Sequence, residues 1–154
     1  MMLLPLTSGL PLSRPVIVID SREKKPYQFS GPSMVAALPV GDYSLEGMEG
    51  QFSIERKELG DLIGCVTHDR ERFIRELERA EKLKTFYLLI EADLSEIEAG
   101  EYRSNAKPES IIGSLLAWVA RYRNFKPIFS GNRKASQRMA ARILRREFLE
   151  TVQK

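Results

Sequence analysis

The sequence predicts an α/β protein, a three-layer sandwich in which a mixed central sheet is flanked by helices. Short runs of β-branched and aromatic residues alternate along the chain with longer segments whose apolar residues recur every three or four positions. The first pattern is typical of strands and the second of helices. The length of 154 residues suits one domain with a substantial core, and 43% hydrophobic and 29% charged residues are typical of a globular protein.

The first predicted strand, residues 16–19, consists of β-branched residues and is typical of a strand buried on both faces. It ends in Asp20-Ser21-Arg22-Glu23. Residues at strand ends and in the loops that follow commonly form active sites. The position therefore suits a pair of catalytic carboxylates.

A predicted hairpin follows. One strand begins at Asp42, residues 47–50 provide the reversal, and apolar and polar residues alternate in the second strand over residues 52–57. This alternation predicts a strand with one buried face, on which residues two apart point to the same side. We therefore expect Glu55 and Lys57 to lie side by side, with Asp42 next to them.

Two carboxylates beside a lysine form the set that a divalent-metal phosphodiesterase needs. Carboxylates hold a hard cation through oxygen, a bound metal can activate water, and an ammonium group can orient that water or stabilise the transition state. Glu-Arg-Lys is also a common surface triplet, and charged residues at a strand end are more often solvated than catalytic. The catalytic interpretation is favoured because acidic residues accompany all three of the predicted strands described so far.

The second half of the chain is predicted as helices alternating with strands. A charged helix over residues 69–84 precedes an apolar strand over residues 85–91. A helix over residues 108–123 has proline in its first turn, and residues 127–129 form a short strand. Trp118 is assigned to the core, with stacking on DNA or an interface as alternatives. The predicted buried residues of the two helices are Phe73, Leu77 and Ala80, and Ile111, Leu115, Val119 and Tyr122.

A last helix is predicted from the breaker Ser130-Gly131-Asn132, which offers an N-cap, to about Val152. Its buried residues are expected to be Ala140, Leu144, Phe148 and Val152. A separate stripe carries cations at spacings of four, four and three: Lys134, Arg138, Arg142 and Arg145. A row of cations along one exposed helix face suits contact with a DNA backbone. A solvated helix with a basic C-terminal half is the alternative.

The net charge of +3 hides a division of charge along the chain. Residues 42–101 carry eight basic and sixteen acidic side chains, whereas residues 102–154 carry twelve basic and three acidic ones. An acidic catalytic half with a basic flank fits a metal-dependent enzyme that acts on a polyanion. The basic flank would attract the phosphates.

Cysteine and histidine usage excludes several kinds of site. The single cysteine, Cys65, excludes an intramolecular disulfide and a cysteine-rich metal cluster, and its apolar neighbours predict a buried, inert thiol. The single histidine, His68, argues against a histidine-based zinc site.

The N-terminal segment is not predicted to be a signal peptide. Residues 1–14 are predicted to form an arm, and residues 1–12 lack the features of a signal peptide. No segment approaches transmembrane length, so no membrane partner is expected. The expected location is the cytoplasm or its nucleoid.

The order of these motifs resembles that of the XPF-type structure-selective endonucleases, whose nuclease module is shared by XPF and archaeal Hef within the PD-(D/E)xK superfamily. The resemblance covers residues 16 to about 130. It implies a restriction-endonuclease-like nuclease fold and a single nuclease domain over residues 15–154 with a basic C-terminal helix. The matching segments are Val-Ile-Asp-x-Arg-Glu, Val-Gly-Asp-Tyr, Ile-Glu-Arg-Lys-x-x-x-Asp and the strand Tyr-Leu-Leu-Ile-Glu at residues 87–91.

Carried over to these residues, the resemblance implies a bound Mg²⁺ or Mn²⁺ ion. Asp42 and Glu55 would bind the metal, with the carbonyl group of Arg56 nearby. Lys57 would be the catalytic lysine.

The remaining motif residues would support this centre. Asp20 and Glu23 would complete the acidic cluster, by direct ligation of the metal or through water, with Asp20 as the third expected metal ligand. Arg22 and Arg56 would orient carboxylates or engage phosphate. Asp61 would either fold back toward the site or be a first-turn carboxylate that the helix dipole favours.

The resemblance implies a metal-dependent endonuclease that cleaves DNA at branched or single-strand/double-strand junctions in repair or recombination, leaving a 5′-phosphate and a 3′-hydroxyl. Two alternatives stay open: a restriction- or recombination-associated nuclease with another substrate, and a non-catalytic or partner-dependent DNA-binding subunit. Inactive partners in the family usually lose motif residues, which this sequence retains. Larger relatives continue into a helix-hairpin-helix domain with no counterpart in this sequence, so a homodimer or a targeting partner also stays open.

Overall fold

The computed structural model describes residues 14–153. The predicted arm, residues 1–14, lies outside the described residues apart from Arg14. The elements in the described part of the chain are β1 (Ile17–Asp20), β2 (Ser33–Ala36), β3 (Tyr43–Leu45), β4 (Phe52–Glu58), α1 (Leu59–Val66), α2 (Arg70–Ala80), β5 (Thr85–Glu91), α3 (Leu94–Glu98), α4 (Pro108–Arg121), β6 (Phe125–Phe129) and α5 (Arg133–Val152).

The strands form one mixed sheet in the order β2-β1-β3-β4-β5-β6. β3 pairs antiparallel with β1 and β4, and the other neighbouring strands pair in parallel. The predicted α/β fold with a mixed central sheet flanked by helices is confirmed. Because β4 and β5 are parallel, with Glu58 opposite Glu91, their carboxyl ends meet at one edge of the sheet.

Both faces of the sheet are covered. α1, α2 and α4 pack on one face through residues such as Phe73, Leu88 and Trp118. α5 packs on the other face, against residues that include Phe52. The predicted single buried face of β4 is therefore wrong: Ser53, on the face expected to be exposed, is 1% exposed and donates a hydrogen bond to the Val40 carbonyl at 2.7 Å.

The helices follow the predicted periodicity with one exception. α2 buries its predicted residues but ends at Ala80, four residues before the predicted end. In α4 the predicted core residue Val119 is 39% exposed, while Trp118 is 1% exposed. Because an α-helix has 3.6 residues per turn, the next buried residue after Leu115 can lie three or four positions later. In α4 it is Trp118, three positions later, and not Val119. The assignment of Trp118 to the core is confirmed.

α5 begins as its sequence predicts. The side chain of Asn132 caps the helix by accepting a hydrogen bond from the Ala135 N–H at 2.8 Å. Three of the four predicted core residues are buried, and Val152 is half-buried. The buried side also includes Ile143 and Ser136.

Two short elements lack a predictive pattern. β2 is an edge strand of four residues whose side chains are mostly exposed, Val35 at 68%. α3 is a helix of five residues that begins with a capping box between Asp93 and Glu96. No described helix is long and apolar enough to cross a membrane.

Gly41 provides a test of how the fold positions Asp42. Its φ is 84°, and a Cβ atom added there would overlap the side chain of Ser53. We expect Gly41→Ala to lower the free energy of unfolding by about 3 kcal/mol, because it combines positive-φ strain with overpacking. Urea denaturation measures this change. Gly50→Ala is the control, because no atom lies within 4 Å of its added Cβ; equal losses in the two variants would contradict the prediction.

Candidate active site

The backbone of Asp42 joins two strands. Its N–H donates to the Ile54 carbonyl at 2.7 Å, and its carbonyl accepts from the Asp20 N–H at 2.8 Å. Its carboxylate atom Oδ2 accepts a hydrogen bond from the Arg56 N–H at 2.8 Å. Asp42 is therefore fixed between the end of β1 and the second half of β4.

Glu55 and Lys57 lie side by side on β4. Lys57 Nζ lies 3.3 Å from Glu55 Oε2, and the two side chains are 16% and 13% exposed. The same Nζ lies 5.8 Å from the centroid of the Phe73 ring on α2. Both side chains therefore face the layer formed by α1 and α2.

Burial and like charges make the carboxylates of this site hard to ionise. Burial raises the pKa of Asp42, and Glu23 raises it further. Burial also raises the pKa of Glu55, to which Asp42 adds, while Lys57 acts against the rise. Burial alone would lower the pKa of Lys57, but Glu55 and other anionic neighbours raise it above its ordinary value. The site therefore holds more potential negative charge than Lys57 compensates.

The donor set fits a hard divalent cation. Mg²⁺ is usually held by one or two protein carboxylates together with water and substrate phosphate. Asp42 and Glu55 supply two such carboxylates. Within residues 14–153 no group of three or more His, Cys, Asp or Glu side chains is arranged to hold a metal ion.

Asp20 does not join this pair, so the expected three-carboxylate ligand set is not assembled. Its Oδ2 accepts from the N–H and Nε of Arg22 at 3.1 and 2.9 Å, and its Oδ1 accepts from Arg22 Nη2 and the Leu38 N–H at 3.0 and 2.8 Å. Burial would raise the pKa of Asp20, but these hydrogen bonds lower it overall. Asp20 therefore ties β1 to the following loop and holds Arg22.

Arg22 and Arg56 differ in accessibility. The side chain of Arg22 is 69% exposed, and Asp42 and Glu55 are near enough to raise its pKa further. The side chain of Arg56 is only 10% exposed and lies on the opposite face of β4. Arg22 is therefore free to meet a ligand, whereas Arg56 is enclosed.

Arg56 is the centre of a second group of acids. Its guanidinium lies 3.4 Å from Glu23 Oε2, 3.3 Å from Glu58 Oε1 and 3.2 Å from Glu91 Oε1. Tyr27 donates a hydrogen bond from its hydroxyl to Glu91 Oε2. Arg56 thus contacts three carboxylates, and Glu23 belongs to its group.

The other predicted site residues lie further from Glu55. Asp61 is exposed in the first turn of α1. The four cations predicted to contact DNA are all exposed on α5, in the layer opposite Glu55. α5 starts near the carboxyl end of β5, where the Arg133 guanidinium lies 5.1 Å from the centroid of the Tyr27 ring and Tyr27 bonds to Glu91. It ends beside the turn that connects β3 to β4, where the Thr151 hydroxyl lies 3.5 Å from Met48 Sδ.

Three residues of this region, Tyr27, Glu76 and Glu91, have no predicted role at the site. Glu91 ends β5, so the rule that active residues lie at strand ends could have identified it. Tyr27 lies in a loop and Glu76 is one of several glutamates on α2, so neither carries a sequence signal. Cys65 is buried as predicted, and burial raises the pKa of its thiol to about 11.

Comparisons with known proteins identify similar sequences and folds. The ERCC4 domain family model matches residues 19–143. XPF from Aeropyrum pernix has a similar fold, with a TM-score of 0.69 and 19% sequence identity, covering 86% of this chain and 61% of that chain. The chain therefore spans about three fifths of the length of that structure. No curated protein matches the chain.

The raised pKa values of Asp42 and Glu55 predict how stability depends on pH. The folded protein without metal holds protons on these carboxyls at a pH where the unfolded chain has lost them. Their contribution to stability is therefore complete below the ordinary carboxyl pKa and is lost as pH rises through the raised values. From about pH 5 upward, we expect the free energy of unfolding in EDTA to fall by roughly 2 kcal/mol more in the wild type than in Asp42→Asn.

Chemical denaturation over a pH series measures this difference. Comparing the two proteins at each pH cancels the other titrating groups, including Asp20, whose lowered pKa acts only in more acidic solution. A difference that does not change with pH would contradict the prediction. Added Mg²⁺ should stabilise the wild type at alkaline pH and have little effect on Asp42→Asn.

Proposed function

Because this chain belongs to the ERCC4 domain family, a family of DNA endonucleases, we propose that it is a metal-dependent enzyme that hydrolyses DNA phosphodiester bonds. The proposed substrate is branched or single-strand/double-strand junction DNA in repair or recombination. The observation that carries the proposal is the pair of buried carboxylates, Asp42 and Glu55, beside the ammonium of Lys57. We also propose that residues 15–154 act as one nuclease domain.

Asp42 and Glu55 are the proposed ligands of Mg²⁺ or Mn²⁺. When bound, such an ion supplies Lewis-acid activation of water and neutralises charge on the phosphate. Hydrolysis would proceed by in-line attack of water on phosphorus with loss of the 3′-oxygen, which leaves a 5′-phosphate and a 3′-hydroxyl.

Lys57 is proposed to act as a hydrogen-bond donor. Its pKa lies above the ordinary lysine value, so the group stays protonated at neutral pH and does not serve as a base. The ammonium can donate to the attacking water or to a phosphate oxygen whose charge grows in the transition state. In the metal-free protein the ammonium contacts Glu55, one of the two proposed metal ligands, so it lies next to the proposed cation site.

Arg22 is proposed to contact the phosphate beside the scissile bond. Its exposed guanidinium is held by Asp20 and also donates to the Leu38 carbonyl at 2.7 Å. A guanidinium fixed in this way loses less side-chain entropy when it binds an anion. Asp20 would thus serve the site by positioning Arg22.

α5 is proposed to extend the DNA contact away from the cleavage site. Lys134 lies in its first turn, which is near the carboxyl end of β5, and Arg138 follows one turn later. Both are exposed. DNA bound at the carboxyl end of β4 would have to pass across the edge of the sheet to reach these two residues.

Cleavage of a panel of DNA structures tests the proposed activity. We expect the wild type to cut labelled flap or fork DNA with Mg²⁺ or Mn²⁺ and not with EDTA. Asp42→Asn, Glu55→Gln and Lys57→Met should each lower the rate by at least about 100-fold, because each removes a cation ligand or the donor. Glu78→Gln, an exposed change on α2, should cut like the wild type. Cleavage by Asp42→Asn at the wild-type rate would overturn the assignment.

Salt-dependent binding tests the proposed role of α5. Replacing Arg138 and Arg142 by alanine should weaken DNA binding and reduce the slope of log K against log salt by about 2, because two phosphate contacts are lost. Fluorescence anisotropy at several salt concentrations measures the slope. The control replaces Arg79 and Lys82, exposed cations in and just after α2. Equal slopes for the two double variants would leave the α5 cations as solvated surface charges.

A further inference from the structure

Glu76 holds a buried carboxylate oxygen whose role the proposed chemistry leaves unexplained. It lies on α2 three residues after Phe73 and directly before Leu77, both of which are buried. Among the described residues, Glu76 Oε2 is one of two buried side-chain atoms without a hydrogen-bond partner. Buried polar atoms are nearly always paired, so an exception at a proposed active site calls for a functional explanation.

Glu76 and Lys57 lie beside the same residue of α2, Phe73. The ammonium of Lys57 approaches the ring of Phe73, one helical turn before Glu76 on the same side of α2. The charge of Glu76 acts on Lys57, Glu55 and Cys65, whose pKa values it helps to raise. Lys57 is therefore near two carboxylates: Glu55, with which it is paired, and Glu76, whose Oε2 has no hydrogen-bond partner.

The pairing of Lys57 with Glu55 conflicts with cation binding at Glu55. The ammonium and a divalent ion at the same carboxylate repel each other, and in a buried site this repulsion is weakly screened. Lys57 is also held near the site by its own backbone in β4, so it cannot move far into solvent. It needs a second acceptor within the same enclosed space.

We propose that Glu76 is a positioning residue that accepts the ammonium of Lys57 when Glu55 takes up a divalent cation. This inference rests on the proposed function, because it concerns the same metal site. Lys57 exchanges one carboxylate for another, so it keeps its positive charge and stays beside the reacting phosphate. Without the carboxylate of Glu76, Lys57 remains on Glu55 and competes with the cation.

Metal binding in the absence of DNA tests the inference without an activity assay. Titration calorimetry with Mn²⁺ would compare the wild type, Glu76→Gln, Lys57→Met and the double variant. We expect Glu76→Gln to weaken Mn²⁺ binding about tenfold, as changes behind a metal ligand commonly do. In the Lys57→Met background the same change should weaken binding less than about twofold, since no ammonium competes. Glu78→Gln, on the exposed side of α2, is the matched control.

The outcomes separate the inference from the function on which it rests. If Glu76→Gln leaves affinity unchanged, or weakens it equally in both backgrounds, the exchange of partners is overturned; the second result would assign Glu76 to direct attraction of the cation. If the wild type binds no Mn²⁺, the proposed metal site is overturned, and this inference with it. Glu76→Asp keeps the charge on a shorter side chain and should bind Mn²⁺ between the wild type and Glu76→Gln, which provides a second variant if Glu76→Gln does not fold.

Discussion

The close approach of the turn at Gly41 to β4 is the constraint on which the site depends. Glycine leaves room for Ser53 beneath the turn, and the backbone of Asp42 can then bond to both Asp20 and Ile54. The same approach brings the Asp42 carboxylate to the Arg56 N–H. A buried carboxyl group is thus placed beside Glu55 by backbone contacts, independently of any salt bridge of its own.

β4 then separates the acidic residues into two groups of different character. Because successive side chains point to opposite faces, Glu55 and Lys57 face α1 and α2, while Arg56 faces the layer of α5. The acids around Arg56 share a guanidinium and the hydroxyl of Tyr27. Those on the other face share one ammonium, and their pKa values are raised. One strand therefore carries both a cluster of acids whose charge is compensated by Arg56 and the proposed metal-binding pair, whose charge Lys57 compensates only in part.

Local sequence signals predicted much of this arrangement. The bounds of β5 and the capping residue of α5 follow from composition and turn chemistry, because neighbours in sequence decide them. The adjacency of Glu55 and Lys57 follows from the period of a strand. The saturation of Asp20 by Arg22 and Leu38 could not be predicted, because it depends on the path of the loop after β1. Glu76 is likewise distinguished from the other glutamates of α2 only by what packs against it.

The connectivity of the sheet also sets the order in which the acidic pair is made and enclosed. Asp42 and Glu55 belong to a hairpin of adjacent strands, and such short-range pairing forms more readily than the parallel pairing of β4 with β5. We therefore expect the two carboxylates to meet while water still surrounds them. Their dehydration follows when α1 and α2 dock, so it opposes the final steps of folding. If the proposed metal site fills during those steps, the cation would offset part of this dehydration cost.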